Sequence, residues 1–180
     1  MKRIFLWIAL FTAFSTRAQQ PKKPLKKLDN NPVFFIDSVN VFRDELNNYD
    51  PLQIAMVTVY KDTMAVNLVG AEGKNGVVYI ETKAFARNRY WNYFQSKSDS
   101  YLKAVPRPES DTSVQYILNN KVLKNNIEAT LSQIDDKVFK EIKVIDKETL
   151  QKEYGISNKS AGILIKSEGP DDFKKTEKKF

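Results

Sequence analysis

The sequence of 180 residues contains no cysteine and no histidine. Without cysteine the protein forms no disulfide, has no thiolate nucleophile and offers no thiol to a lipid anchor. Without histidine it lacks the commonest general base and the residue that most zinc sites and serine-protease-type triads require. Stability must therefore come from packing, and an enzyme built on this chain would have to use carboxylates alone.

Long apolar runs are also scarce, and the one at the start of the chain is short. It covers residues 4–14, follows the basic Lys2 and Arg3, and precedes the small residues Thr16 and Ala18. This order is typical of a secretory signal peptide, here residues 1–18. The alternative is a membrane anchor, but about 11 apolar residues fall short of the roughly 20 that span a bilayer. We therefore expect an exported protein, in the periplasm or associated with the outer membrane, with no transmembrane segment in the mature chain.

The net charge is only mildly basic once the signal peptide is set aside. The formal value of +7 includes three basic residues of the signal peptide, which leaves +4. Much of this charge lies in two runs, PKKPLKK at 21–27 and KKTEKK at 174–179. Basic runs near termini are typical of solvated tails, so we expect no nucleic-acid partner.

The chain contains an internal repeat. Residues 42–70 align with residues 127–155 at a constant offset of 85. The matched positions are Phe42, Leu46 and Tyr49 with Ile127, Leu131 and Ile134, then Val57 with Ile142, Val59 with Val144, and Gly70 with Gly155. The flanking stretches FFIDSVNV and GVVYI resemble YILNNKVL and GILIK, which aligns Gly76 with Gly162. Agreement at this many positions in one order is more than generic α/β patterning produces.

Each copy predicts the same series of elements. An apolar strand leads into a polar turn, followed by a short amphipathic helix, a strand with alternating valines or isoleucines, a second helix and a closing strand. We therefore predict an α/β fold of two tandem β-α-β-α-β units without a transmembrane barrel. The predicted organisation is a signal peptide at 1–18, a basic linker at 19–32, repeat 1 at 33–86, an aromatic-rich connecting segment and linker at 87–113, repeat 2 at 114–167 and a charged tail at 168–180.

The glycine-rich stretch VGAEGKNGVVYI at 69–80 raises the question of a phosphate loop. Phosphate loops place the glycines between a strand and the start of a helix, where free N–H groups and the positive end of the helix dipole meet the anion. Here the predicted order is helix, glycines, strand, so the nearby dipole end is negative. We predict that the glycines are structural turns and that the protein uses no cofactor. The predicted turn residues are Gly70, Gly73, Gly76, Gly155 and Gly162.

Residues 36–83 also carry a series of motif positions in a recognisable order. They are Ile36-Asp37, Asp50, Ile54, Val57, Val59, Lys61-Asp62, Ala65, Gly70, Gly73, Asn75-Gly76, Ile80 and Thr82-Lys83. In this order they resemble the plug domain of TonB-dependent outer-membrane receptors, in the branch that imports glycans and peptides. The resemblance implies a plug-like fold and a cell-envelope setting. Because no strands of a receptor barrel are predicted, it does not imply that the chain transports anything by itself.

The connecting segment is rich in aromatic residues. Tyr90, Trp91, Tyr93, Phe94 and Tyr101 lie within twelve residues. One interpretation is a platform for a partner, because aromatic side chains dominate interface hot spots and stack on sugars and peptides. The other is a helix that packs its aromatic face between the two copies.

Two acidic pairs, Asp135-Asp136 and Asp171-Asp172, are poor candidates for catalysis. Neighbouring residues on a helix or strand do not point in one direction, whereas glycoside hydrolysis needs two carboxylates aimed at one bond from opposite sides. No clustered spacing suggests a metal, so we predict neither catalytic nor metal-binding residues. The first hypothesis is an exported plug-like binding module for an envelope protein, glycan or peptide. The alternative is an exported enzyme or enzyme inhibitor that uses carboxylates on the same scaffold.

Overall fold

A computed structural model describes residues 31–168 of the chain. The predicted signal peptide and nearly all of the basic linker and of the charged tail, including Asp171-Asp172, lie outside the described residues. The described part is a mixed α/β protein with two four-stranded sheets. None of its helices is long and apolar enough to cross a membrane.

The first sheet is built from residues 33–82. Its strands are β1 (Val33–Ile36), β2 (Val39–Val41), β3 (Ile54–Tyr60) and β4 (Val77–Thr82). They lie in the order β2-β1-β4-β3, with β1 parallel to β4 and the other neighbours antiparallel. Helix α1 (Asp62–Val69) and a 3₁₀ helix (Gly70–Asn75) connect β3 to β4. Two further 3₁₀ helices, Arg43–Asn48 and Pro51–Gln53, precede β3.

A helical segment leads from the first sheet to the second. It consists of α2 (Lys83–Lys97), α3 (Asp99–Ala104) and a 3₁₀ helix (Pro108–Ser113). The hydroxyl of Thr82 accepts a hydrogen bond from the Phe85 N–H at the start of α2, and Ser98 caps α3 through the Tyr101 N–H. Each cap satisfies an N–H group that has no partner within the helix.

The second sheet has the same strand order and directions as the first. Its strands are β5 (Gln115–Leu118), β6 (Lys121–Val122), β7 (Phe139–Asp146) and β8 (Ala161–Ser167), in the order β6-β5-β8-β7. Strand β5 is parallel to β8, and the other neighbours are antiparallel. Helix α4 (Ile127–Leu131) precedes β7, and α5 (Lys147–Tyr154) connects β7 to β8.

The same polar turn joins the first two strands of each sheet. Both central residues have positive φ, at 50° and 71° for Asp37 and Ser38 and at 49° and 64° for Asn119 and Asn120. Two consecutive residues with positive φ give a turn whose twist matches that of the flanking strands of a hairpin, and Asp and Asn tolerate this backbone conformation. Asp37 then accepts hydrogen bonds from the N–H and hydroxyl of Thr82 at 2.7 Å. The Asn119 amide likewise binds the backbone of Ser167, at 2.9 and 3.0 Å. In both sheets the turn is therefore tied to the end of the last strand.

The predicted β-α-β-α-β series needs two corrections. Each unit contains an additional hairpin strand, β2 or β6, that the apolar pattern did not show because it has only three or two residues. In the first unit the predicted amphipathic helix is the 3₁₀ helix Arg43–Asn48. A 3₁₀ helix has three residues per turn, so Phe42, Leu46 and Tyr49 do not line one face, and the Phe42 side chain is 79% exposed.

The alignment of Gly76 with Gly162 is wrong by one residue. Val57 pairs with Ile80 in the first sheet and Ile142 pairs with Ile165 in the second, so the offset of 85 continues through the closing strand. Gly162 therefore lies inside β8 and is not a turn residue. A Cβ at Gly162 would come within 2.7 Å of the Ile145 Cγ1 atom, so glycine is required there by close packing.

The glycine-rich stretch connects the end of a helix to a strand. Gly70 ends α1 with a φ of +70°, and Gly155 ends α5 with a φ of +69°. Gly76 leads into β4 with a φ of +94°. Gly73 is buried, and a Cβ there would lie 2.3 Å from the Ala65 carbonyl oxygen. The stretch therefore needs glycine for the positive φ angles of Gly70 and Gly76 and for the close approach of Gly73 to the Ala65 backbone.

Replacing Gly70 by valine is expected to destabilise the fold by about 1–3 kcal/mol, because a β-branched residue is strained at positive φ. Replacing the exposed Lys74 by alanine is the control and is expected to have little effect. Urea denaturation of both variants measures the two free energies of unfolding. If Lys74→Ala abolished binding of a nucleotide by the intact protein, the assignment of the glycines to turns would have to be abandoned.

Candidate functional site

One face of each sheet is apolar, and the strand register defines it. Cross-strand partners project to the same side of a sheet. In the first sheet this places two rows on one face: Val57, Ile80, Ile36 and Val39, and beside them Val59, Val78, Phe34 and Val41. In the second sheet the matching rows are Ile142, Ile165, Leu118 and Lys121, and Val144, Ile163 and Tyr116. We call these the apolar face of the first sheet and the matching face of the second sheet.

The matching face of the second sheet is covered by α2 and α3. Its central residues Tyr116, Leu118, Ile163 and Ile165 are at most 2% exposed and form one core with residues of these helices. The rings of Tyr90 and Tyr116 meet edge to face at 5.9 Å. The Phe94 ring of α2 meets Tyr101 of α3 edge to face, with a centroid distance of 5.7 Å. It also lies tilted against Phe139 of β7, with a centroid distance of 6.3 Å. This geometry is favourable for aromatic packing.

Three of the five aromatic residues predicted to bind a partner are therefore core residues. Tyr90, Phe94 and Tyr101 are 1%, 0% and 0% exposed, so they have no surface to offer. Trp91 and Tyr93 are partly buried against the same core. The Trp91 indole N–H donates to the Val105 carbonyl at 2.8 Å, and the Tyr93 hydroxyl donates to Asp136 at 2.9 Å. The interpretation in which the helix packs its aromatic face inward describes the first three residues.

A polar network holds the helical segment in place. The Arg87 guanidinium binds Asp111 at 3.2 Å and Glu128 of α4 at 2.8 Å. The Tyr90 hydroxyl donates to the same Asp111 oxygen, and Asp111 itself is buried. The stretch PRPESD was expected to be a linker, but the sequence gives no sign that Asp111 is a buried anchor between α2 and the second unit. Burial raises the pKa of Tyr90, and the hydrogen bond to Asp111 raises it further.

Several acidic residues of the described part form ion pairs or accept hydrogen bonds from the backbone. Glu81 is buried and receives two hydrogen bonds from Arg89, both at 2.7 Å. Asp135 accepts a hydrogen bond from the Lys137 N–H. The hydrogen bond from Lys97 lowers the pKa of the exposed Asp136. Within residues 31–168, no group of three or more acidic, histidine or cysteine side chains is arranged to hold a metal ion.

The apolar face of the first sheet is only partly covered. At its centre Ile36 is 2% and Val78 is 6% exposed. The two ends of the outer row, Val39 and Val57, are 63% and 53% exposed. Among residues 31–168, α2 and α3 place their core aromatics against the second sheet and not against this face. The first sheet thus presents an apolar row whose ends remain open to solvent.

The two units differ systematically at matched surface positions. Of the large apolar side chains that are exposed in the described part, all but Leu102 lie between residues 39 and 68. The matched pairs are Val39 with Lys121, Leu52 with Lys137, Met64 with Thr149, Val66 with Gln151 and Leu68 with Glu153. The second unit therefore shows that these positions accept polar residues in this fold, and the first unit exposes apolar residues at the same places.

The repeat alignment contains the signal that sequence analysis missed. Apolar residues at matched positions indicate shared elements, whereas an apolar residue matched with a polar one indicates that the two surfaces differ. An apolar side chain in one copy opposite a charged one in the other indicates a surface position with a task besides folding. Val39 and Leu68, which match Lys121 and Glu153, could have been found in this way, whereas Val57 could not, because its match is Ile142.

The first unit also differs from the rest of the protein in charge. Residues 31–82 contain seven acidic and three basic side chains, a net charge of −4. Residues 83–168 contain eleven acidic and fifteen basic side chains, a net charge of +4. The exposed apolar residues therefore lie on the acidic half of the described chain, which favours basic partners at long range.

Compared with known proteins, the chain matches no family model, no curated protein and no solved structure. The resemblance to the plug domain of TonB-dependent receptors accordingly depends on its motif residues alone and stays a prediction.

Proposed function

We propose that this protein is an exported binding module of the cell envelope that recognises a partner through its first unit. It acts by binding and not by turnover, and it does not drive transport by itself. The plug-like motif residues and the predicted signal peptide support the envelope setting. The second unit, which contains the larger core and covers its own sheet face, serves as the rigid base of the module.

The observation that carries this proposal is the exposure of apolar side chains on the first unit alone. Soluble proteins rarely leave clustered apolar surface in water unless a partner or ligand covers it. At five of these positions the fold does not demand an apolar residue, because the second unit has lysine, glutamine, threonine or glutamate at the matched positions. Val57 is different, since its match is Ile142. Each exposed apolar residue buried against a partner would contribute about 25 cal/mol per Å² of apolar surface removed from water.

The helical segment explains why the two units can have different tasks. Only the second sheet receives the aromatic core residues of α2 and α3 on its apolar face. The first sheet keeps Val39 and Val57 exposed at the two ends of one cross-strand row. A ligand would reach this row at its exposed ends, Val39 and Val57, because Ile36 at its centre is buried.

Replacing Val39 and Val57 by lysine is expected to reduce capture of the partner by at least about tenfold, because charged residues oppose burial of the apolar row. The tagged mature protein and the variant are compared in pull-downs from envelope extracts, quantified by mass spectrometry. A second variant, Val66→Gln/Leu68→Glu, copies Gln151 and Glu153 onto α1 and tests the apolar residues of that helix. The control is Leu102→Lys, at the exposed apolar residue of the described part that lies outside the first unit, and it is expected to keep wild-type capture. Equal capture by wild type and the Val39/Val57 variant, or turnover of an envelope substrate by the purified protein, would contradict the proposal.

A further inference from the structure

The two sheets have edge strands of opposite character. Strands β3 and β7 each lie at the end of their sheet, and each is paired with one neighbour within residues 31–168. Four charged residues lie within β7, namely Lys140, Glu141, Lys143 and, at its end, Asp146. The positions on β3 that match the first three are Ala55, Met56 and Thr58. The register fixes this correspondence, because Val57 and Ile142 occupy equivalent pairs with the neighbouring strand.

The charges on β7 protect its edge. Glu141 binds Lys143 at 2.6 Å and Lys166 at 3.1 Å, and Lys140 binds Glu168 at 2.7 Å. Charged side chains on an edge strand discourage pairing with another chain, because an incoming strand would have to desolvate them. The second sheet is therefore closed to strand addition by its own sequence.

Strand β3 lacks this protection. Its sequence IAMVTVY contains no charged residue over seven positions. Within residues 31–168 it pairs only with β4, and the helices α2 and α4 also contact it. An incoming strand would pair with the backbone N–H and C=O groups of its outer edge where these helices leave that edge open. Long, uncharged edge strands are templates for strand addition. The exposed Val57 lies on this strand at the end of the apolar row.

We infer that β3 is the docking site of an extended segment of a partner polypeptide, which adds to the first sheet as a fifth strand. The inference rests on the proposed function and names its ligand class. Backbone hydrogen bonds to β3 would hold the segment, and alternate side chains of the segment would lie beside Val57 and Val59 on the apolar face. The segment should therefore carry apolar residues at every second position.

The charge of the first unit indicates that the other positions of the segment are basic. Exposed carboxylates stand at both ends of β3, Asp50 before it and Asp62 after it. The unit as a whole has a net charge of −4. A second copy paired through β3 would bring two such units together, which like-charge repulsion opposes. A segment with lysine or arginine is attracted instead, and this attraction weakens with salt.

The probe for this inference is a blocked synthetic peptide of about nine residues, a typical strand length, in which valine alternates with lysine and threonine. The test variant carries Met56→Glu and Thr58→Lys, which copy the Glu141–Lys143 pair onto β3. Fluorescence anisotropy is expected to show at least about tenfold weaker binding to this variant. The control variant Leu102→Lys is expected to bind as wild type does, because Leu102 lies on α3 and outside the first unit.

Two further measurements show how the peptide binds. Hydrogen exchange of the β3 amides is expected to slow when the peptide is added, as new backbone hydrogen bonds require. Binding should weaken between about 50 mM and about 500 mM salt, and a peptide with glutamate in place of lysine should not bind. Equal affinity of wild type and the Met56/Thr58 variant, or unchanged exchange of β3, would overturn the inference. So would a dimer of the protein that the Met56/Thr58 variant abolishes.

The pull-down separates this inference from the function on which it rests. If Val39→Lys/Val57→Lys lowers partner capture and Met56→Glu/Thr58→Lys does not, the binding function stands and the site on the β3 edge is wrong. If neither variant lowers capture, both fail. Position 56 faces the buried Glu81, whereas Glu141 faces Lys166, so Met56→Glu brings like charges together and its stability must be measured by urea denaturation. Thr58→Lys alone, opposite Tyr79, avoids this contact; it is expected to match wild type in stability and still to weaken peptide binding.

Discussion

Replacing Phe94 by alanine is expected to lower the free energy of unfolding by about 3–5 kcal/mol, the usual cost of removing a buried aromatic ring. Phe94 is fully buried at the centre of the largest core. Its ring contacts those of Tyr90, Tyr101 and Phe139, with centroid distances between 5.7 and 6.3 Å. Alanine would leave a cavity between α2, α3 and the second sheet, and these rings could not fill it without leaving their own positions.

The same substitution at Phe42 is the matched control. The Phe42 side chain is 79% exposed, so Phe42→Ala is expected to change the free energy of unfolding by no more than about 0.5 kcal/mol. Urea denaturation followed by circular dichroism measures both variants. An unchanged Phe94→Ala variant would show that the aromatic segment is not core, and Tyr90, Phe94 and Tyr101 would again be candidates for a binding surface.

Above pH 10 the folded protein is expected to lose stability steeply. Burial raises the pKa of Tyr90, Tyr101 and Tyr116 above the ordinary value of 10.0, and the negative charge of Asp111 adds to the effect at all three. In the folded state these hydroxyls stay protonated, whereas in the unfolded chain they ionise near pH 10. The unfolded state then binds fewer protons, so stability is full below pH 10 and falls as the pH rises. The slope is about 1.4 kcal/mol per pH unit for each tyrosine, or about 4 for three.

The alkaline loss can be assigned to these residues with one double variant. The Tyr101 and Tyr116 hydroxyls are 3.0 Å apart and hydrogen-bonded to each other. Replacing both by phenylalanine removes donor and acceptor together, which leaves no buried polar group unpaired. The slope of stability against pH, measured by urea denaturation at several values from about pH 9 to about pH 11.5, should fall by about half to two thirds, because Tyr90 remains and partial burial also raises the pKa of Tyr93. An unchanged slope would mean that other groups cause the alkaline unfolding.

The two units differ in core size, net charge and the character of their edge strand. The second unit has the larger core, a covered sheet face and a charged edge strand. The first unit has an acidic net charge, an apolar row with exposed ends and an uncharged edge strand. Because both have one strand order, each feature of the first unit can be tested by copying the second unit's residue into it. The variants at Val39, Met56, Thr58, Val66 and Leu68 follow this principle, since each introduces a side chain or charge type that the fold accepts at the matched position.

Local sequence determined the features that depend on neighbouring residues. Helices α1 and α5 occupy residues 62–69 and 147–154, where the repeat places them. The polar turns at Asp37-Ser38 and Asn119-Asn120 and the helix end at Gly70 depend on the φ angles that these residues tolerate. Such preferences act within a few residues and can be read from the chain without knowing the fold.

Only the tertiary structure decided which apolar residues are buried. The pattern treated Phe42, Leu46 and Tyr49 like Ile127, Leu131 and Ile134, yet Leu131 is fully buried and Phe42 is not. The aromatic segment could have been core or surface until α2 and α3 were seen to cover the second sheet. Periodicity shows that an element has an apolar side, but burial depends on a second surface that arrives from a distant part of the chain. The edge position of β3 was likewise decided by the tertiary structure, because it follows from the order of the strands and not from the seven residues of β3.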